Sequence, residues 1–250
     1  WADLSFYQSR VLQVHVQSDY ASFVFRNSVA ELNEFNVNFG NYRLEASTFL
    51  SSSIVSKHLK SRSRILQSGF YDSNAPVVDE SLTELYVYQC NFSNHTTAIK
   101  KKGGRLRMRC NLIQSSDIGL VVEKGCLLYL GINDAAGFNT FSNLEYAIQL
   151  ENALVPSFFN GENRFESCFI YLAGSVTNAT CMTQLHFGRN YFENDVYNRF
   201  SVYSTTSTIA NAPCYLGFTL GENFAGSCPA GVGQVAIGKS NQIKEELIYN

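Results

Sequence analysis

Apolar residues recur along this chain with the period of strands and not of helices. Val11-Leu-Gln-Val-His-Val16, Ile118-Gly-Leu-Val-Val122 and Tyr146-Ala-Ile-Gln-Leu150 are short β-type runs, and no segment carries an amphipathic helical period. A heptapeptide of the form GxNxFx(N/S) punctuates them at Gly137 to Asn143, Gly161 to Ser167 and Gly188 to Asn194, with a degraded copy at Gly221 to Ser227. With its phenylalanine set as position zero, the equivalents are Phe25, Phe49, Phe70, Phe92, Ile113, Phe141, Phe165, Phe192 and Ala225, at gaps of 21 to 33 residues. Two positions later stand Asn27, Ser51, Asp72, Asn94, Ser115, Asn143, Ser167, Asn194 and Ser227, all small and polar. Seven positions later the residues are mainly apolar, as at Val77, Ile99, Leu120, Ile148 and Leu172, although Ser56 and Arg199 interrupt the column. Two positions earlier, Asn111, Asn139, Asn163, Asn190 and Asn223 follow Phe23, Ser47, Ser68 and Cys90.

A turn of this length cannot bury its apolar side alone, but it can stack on copies of itself. The pattern therefore predicts an all-β fold, a single-stranded parallel β-helix of about nine coils. In it Phe92, Phe141, Phe165 and Phe192 form a core column, and the asparagines bond from coil to coil. The motif glycine is expected to supply a positive φ at a corner. At about 4.8 Å per coil, the rod would be on the order of 40 Å long. Residues 1–250 read as one domain, with 1–22 an N-terminal strand or cap and 238–250 a tail. No capping pattern closes that tail, so the chain is expected to continue or to meet another chain there.

The motif and the β runs after it resemble the right-handed parallel β-helix repeat of pectate-lyase-like proteins, over about Phe23 to Ile237. The resemblance implies a right-handed coil in a secreted or surface protein of bacteria or their phages, and it assigns no activity. Relatives that cleave acidic polysaccharides need a calcium-binding carboxylate cluster with a basic proton acceptor, or two to three neighbouring aspartates. Here no two aspartates are adjacent, and the Asp-Asp, Gly-His-Gly and Arg-Ile-Lys signatures are absent. In bacteria that use type IX secretion, a sorting domain would follow Asn250.

Composition narrows the partners. Charged residues are 16% against roughly 25% in typical soluble domains, and aromatics reach 14%. The net charge of -2 gives no field for nucleic acid or an anionic membrane, and no apolar run is long enough to span a bilayer. Seven cysteines show neither CxxC nor zinc spacing. They read as buried thiols of the coil, with Cys168 to Cys181 and Cys214 to Cys228 as the disulfide candidates.

Two constellations could carry chemistry. Asp117 and Glu145 share offset plus four in consecutive coils, and Glu123 and Glu151 share plus ten. Stacked like charges about 5 Å apart repel unless they share a proton or hold a cation. The first pair is thus a candidate acid/base dyad and the second a candidate Ca2+ site, the one cofactor the sequence suggests. The alternative is that both pairs are solvated, relieved by Lys102. The second constellation is Lys100-Lys-Lys-Gly-Gly-Arg-Leu-Arg-Met-Arg109, whose alternation puts Arg105, Arg107 and Arg109 on one strand face. With Lys102 they could hold sulfate or carboxylate groups of a glycan. The alternative is a solvated face balanced by Glu84 and Glu123.

Tyr86 with Tyr88, Phe158 with Phe159, and Tyr191 with Tyr197 are candidate sugar platforms. His15, His58, His95 and His186 form no catalytic arrangement. Asn94 begins a glycosylation sequon but sits in the polar plus-two column, where a glycan would not fit. The function expected is a non-catalytic adhesive or carbohydrate-binding rod, or a spacer between domains, with a surface glycan, neighbouring domains or secretion machinery as partners. The alternatives are a polysaccharide lyase or glycoside hydrolase, and a phage tailspike segment.

Overall fold

The structure is a computed structural model that describes residues 2–58, 61–131, 137–154, 162–176, 185–188, 190–193, 200–204, 212–213, 216–219 and 247–248. The described residues contain no helix. They wind into a parallel β-solenoid of about seven turns, each turn giving one strand to each of three faces. The first face comprises Ala2–Tyr7, Ala21–Arg26, Asn41–Glu45, Ser63–Leu66, Glu84–Tyr88, Arg105–Arg109 and Leu127–Tyr129. The second begins with Arg10–Leu12, Val29–Glu31 and Thr48–Leu50, the third with His15–Ser18, Glu34–Asn38 and Ser53–Lys57. Leu112–Glu123 and Thr140–Ala153 each run through a corner and serve both. Towards the C-terminus, Leu185–Gly188 pairs in parallel with Leu216–Thr219, which pairs antiparallel with Leu247–Ile248.

The core is built from like residues on like. On the second face Phe49, Phe70, Phe92, Ile113, Phe141, Phe165 and Phe192 are successive partners. Phe70 and Phe92 stack at 4.8 Å with rings 1° from parallel, and Phe141 and Phe165 at 5.0 Å and 6°. Ile113 interrupts the aromatic column without opening it to solvent.

Towards the N-terminus the register differs from the sequence expectation. Phe25 lies on the first face between Phe6 and Leu44, and the residue paired with Phe49 on the second face is Ala30, preceded by Val11. These turns are 19 residues long, and residues 2–18 already form a complete turn of three strands. The bulk missing at Ala30 comes from its neighbours, since Phe25 meets Phe35 edge-on at 5.1 Å and Phe49 at 5.4 Å. Ser56 likewise leaves the apolar column, where Ile54 pairs with Val77.

The polar column two residues before the phenylalanines is buried and continuous. Backbone N–H groups of Ser9, Ser28 and Ser47 donate to the next serine Oγ at 3.2 Å each. From Cys90 onward the acceptors are Asn111, Asn139, Asn163 and Asn190 Oδ1, at 2.9 to 3.1 Å. The Nδ2 groups of Asn111, Asn139 and Asn163 also donate up the column, Asn139 to Asn163 Oδ1 at 2.8 Å. Asn223 lies outside the described residues.

The plus-two column marks a corner of each turn. Ser51, Asp72, Asn94, Ser115, Asn143 and Ser167 sit at φ of 45° to 64°, the left-handed corner that short polar residues tolerate best. Asn94 there is exposed, donating to Asp72 Oδ1 at 3.0 Å, so this position leaves room for a glycan. The positive φ near the motif's start belongs to Phe138 and Glu162 and not to Gly137. Gly137 is required by space, because a Cβ there would lie 2.0 Å from Leu130 O. Cys168 is a buried thiol whose Sγ donates to Phe141 O and Glu166 O, which removes the Cys168 to Cys181 disulfide. Cys181, Cys214 and Cys228 lie outside the described residues.

Asn139→Ala should destabilise the solenoid by roughly 2–4 kcal/mol, because it strands the buried donors of Asn111. Asn143→Ala, on the exposed corner, should cost about 1 kcal/mol. Denaturant midpoints of the two variants check the difference.

Candidate functional site

Strand alternation on the first face sends Leu106 and Met108 into the core and Arg105, Arg107 and Arg109 outward. Neighbouring turns add Arg26, Arg43, Arg62 and Arg64, so seven outward arginines face only Asp3, Glu45 and Glu84 as acids among the described residues of this face. Glu45 and Glu84 each bridge two of them. Glu45 Oε2 lies 2.8 Å from Arg26 and 3.2 Å from Arg43, while Glu84 lies 2.6 Å from Arg62 and 2.9 Å from Arg107. Arg64, Arg105 and Arg109 have no carboxylate partner among the described residues.

Tyrosines interleave with the arginines. Arg43, Arg64, Tyr86, Arg107 and Tyr129 are successive partners across five turns. The Arg107 guanidinium lies 5.1 Å over the Tyr129 ring, and the Tyr86 and Tyr88 rings are 6.1 Å apart and near parallel. Burial, and next the Tyr88 hydroxyl, push the Tyr86 phenol above its ordinary value against the pull of Arg109 and Arg64. At the edge of the face, a cleft of about 570 Å³ is lined by Arg62, Glu84, Arg105, Leu82, Leu127 and Leu154, among others. Leu82 is 83% exposed there.

Lys102 does not join this group. It pairs with Glu123 on the third face, and Gly103 and Gly104, at φ of 66° and 60°, turn the chain before Arg105. Gly104 also packs where a Cβ would lie 2.2 Å from Thr83 O.

Glu123 and Glu151 are direct Cα partners on the third face. Burial opposes ionisation of Glu123, but Lys100, whose Nζ lies 2.7 Å from Glu123 Oε1, holds the carboxyl below its ordinary range, and a hydrogen bond with Glu151 helps. Burial and then that same hydrogen bond raise Glu151. The two carboxyls are thus pushed apart in acidity, with lysine on the more acidic one, and among the described residues no group of three or more His, Cys, Asp or Glu is arranged for a metal. Asp117 and Glu145 are both exposed, side by side between the pairings Ser116 to Leu144 and Ile118 to Tyr146. They stand on a different sheet from the first-face arginines. His95 is buried in a second corner ladder, its ring nitrogens 2.9 Å from Ser73 O and 3.1 Å from Phe70 O. Arg164 stacks over Tyr191 at 5.0 Å, while Phe158, Phe159 and Tyr197 lie outside the described residues.

One group was not foreseen from the sequence. Lys101, the middle residue of the lysine run, points into the bore beside Asp79, and both are fully buried. The available signal was offset plus nine, where Asp79 and Lys101 stand in line with Val122 and Leu150.

Compared with protein-family models, curated proteins and solved structures, the chain matches none.

The opposed shifts of Glu123 and Glu151 make stability depend on pH. Glu151, raised on folding, contributes fully below the ordinary carboxylate range, and its contribution is lost as pH rises through the folded pKa. Glu123, lowered on folding, contributes above that range and loses its contribution as pH falls. Glu151→Gln keeps a donor for Glu123 but has no proton to release. Melting midpoints against pH should therefore decline just above the ordinary carboxylate range in the wild type and stay flat in the variant. At neutral pH the change should be within about 0.5 kcal/mol, because the substituted Glu151 is itself exposed.

Proposed function

We propose that this protein is a non-catalytic carbohydrate-binding rod, secreted or held at a cell surface, whose first face takes an anionic glycan. The observation that carries the proposal is the set of outward arginines without carboxylate partners among the described residues, Arg64, Arg105 and Arg109, on a sheet face interleaved with Tyr86, Tyr88 and Tyr129. Guanidinium forks fit sulfate and carboxylate groups, and tyrosine rings offer the apolar surface on which a pyranose stacks. Adjacent strands repeat at about 4.8 Å and alternate outward residues at about 7 Å, so the cations form a grid suited to a repeating polyanion. The leucine-lined cleft adjoins it through Arg62 and Arg105.

The same proposal includes the right-handed, pectate-lyase-like class of coil, a bacterial origin, export by type IX machinery and service as a spacer, all resting on the sequence resemblance. The side-by-side Asp117 and Glu145 favour a second reading, a lyase or glycoside hydrolase on acidic glycans. A tailspike segment, the third reading, would be a trimer in sedimentation.

Binding to immobilised heparin and polygalacturonate tests the first reading. The wild type should be retained and released by salt, while Arg64→Ala, Arg105→Ala and Arg109→Ala together should weaken binding by at least about tenfold to a hundredfold. Equal retention of the triple variant would remove the face from the proposal. Release of unsaturated uronides in the presence of Ca2+ would replace the non-catalytic reading with the lyase.

A further inference from the structure

The bore holds a charged pair that the glycan-binding face does not use. Asp79 and Lys101 are Cα partners on neighbouring third-face strands, and Lys101 Nζ lies 3.4 Å from Asp79 Oδ1. A buried ion pair that offsets its own desolvation is short and fully hydrogen-bonded. This contact is long and single, and Asp79 Oδ2 is buried with no hydrogen-bond partner among the described residues. The short bonds run to Ser81 instead. Lys101 Nζ donates to Ser81 O at 2.6 Å, and Ser81 N–H donates to Asp79 Oδ1 at 2.8 Å. An amide between the two side chains would keep both bonds and eliminate Oδ2, the one carboxylate atom left without a partner.

We propose that Lys101 and Asp79 condense into an intramolecular isopeptide bond that staples two successive turns from within. The reacting forms are the neutral amine and the neutral acid, reached by moving one proton from Nζ to the carboxylate across the contact. The amine lone pair attacks Cγ, the Nζ–Cγ bond forms and the Cγ–Oδ2 bond breaks. Oδ2 leaves as water, taking one proton from the acid and one from the amine, so no oxidant or cofactor enters. Tyr42, also buried, is raised by burial and then by the Asp79 charge against the pull of Ser56, and gives the carboxyl a proton-holding neighbour. Cys126 does not compete as a nucleophile, since burial pushes its thiol up to about 12 despite the pull of Lys101.

Intact-mass spectrometry of the chain, purified folded and then reduced and denatured, decides the matter. The expected mass is below the sequence mass by one water, and fragmentation should find a branched peptide joining Asp79 to Lys101. Asp79→Ala and Lys101→Met should each regain the full mass of their sequences. A wild-type chain at full sequence mass, or a water loss mapped elsewhere, overturns the proposal. If either variant fails to fold, the wild-type mass and branch point still decide.

Discussion

The constraint on which this molecule depends is that every inward side chain must tolerate a near copy of itself about 4.8 Å away, above and below. Phenylalanine satisfies it by parallel stacking, as from Phe49 to Phe92 at 4.7 to 4.8 Å. Asparagine satisfies it because its amide carries both a donor and an acceptor, so that Asn111, Asn139 and Asn163 each donate to the next, ending on Asn190 Oδ1. Serine does the same work in the earlier turns through its hydroxyl. A charge cannot stack on its like in a dry bore, and where charge does enter, Asp79 and Lys101 meet as opposites.

Outward residues escape that rule, and the first face departs from its repetition. Glu45 and Glu84 each neutralise parts of two arginines, which fixes those guanidinium groups while leaving the face positive. The third face takes the opposite course, with lysine set against paired glutamates. A chain of nearly balanced charge thus sorts its charges by face.

The second-face register from Phe49 to Phe192 was legible because a large aromatic with a polar flank leaves a mark that varying turn lengths do not erase. The first turns were not, because Val11 and Ala30 occupy the column and Phe25, on another face, imitates its missing member. Corner length misled as well. Five residues separate Phe49 from Ile54 but seven separate Phe70 from Val77, so one fixed offset could not serve both. Arg105, Arg107 and Arg109 were readable from alternation within one strand. Glu84 was readable as an acid balancing them, and it bridges Arg62 and Arg107, but Arg64, Glu45 and the leucine-lined cleft come from other turns and share no residue type that would announce them. The Lys100 to Lys102 run looked like a solvated patch, yet alternation had to turn one of the three inward.

The turn-to-turn register also fixes how this chain can be made. Parallel partners are one turn apart, from 19 residues near the start to 31 between Leu185 and Leu216. Among the described residues no pairing waits for a distant part of the chain, so loop closure is nearly the same modest step each time. A finished turn presents the next segment with a ready edge, an aromatic floor and a row of amide acceptors. Assembly is then growth from a seed, advancing turn by turn, and a faulty turn halts the advance locally while the turns already laid keep their form.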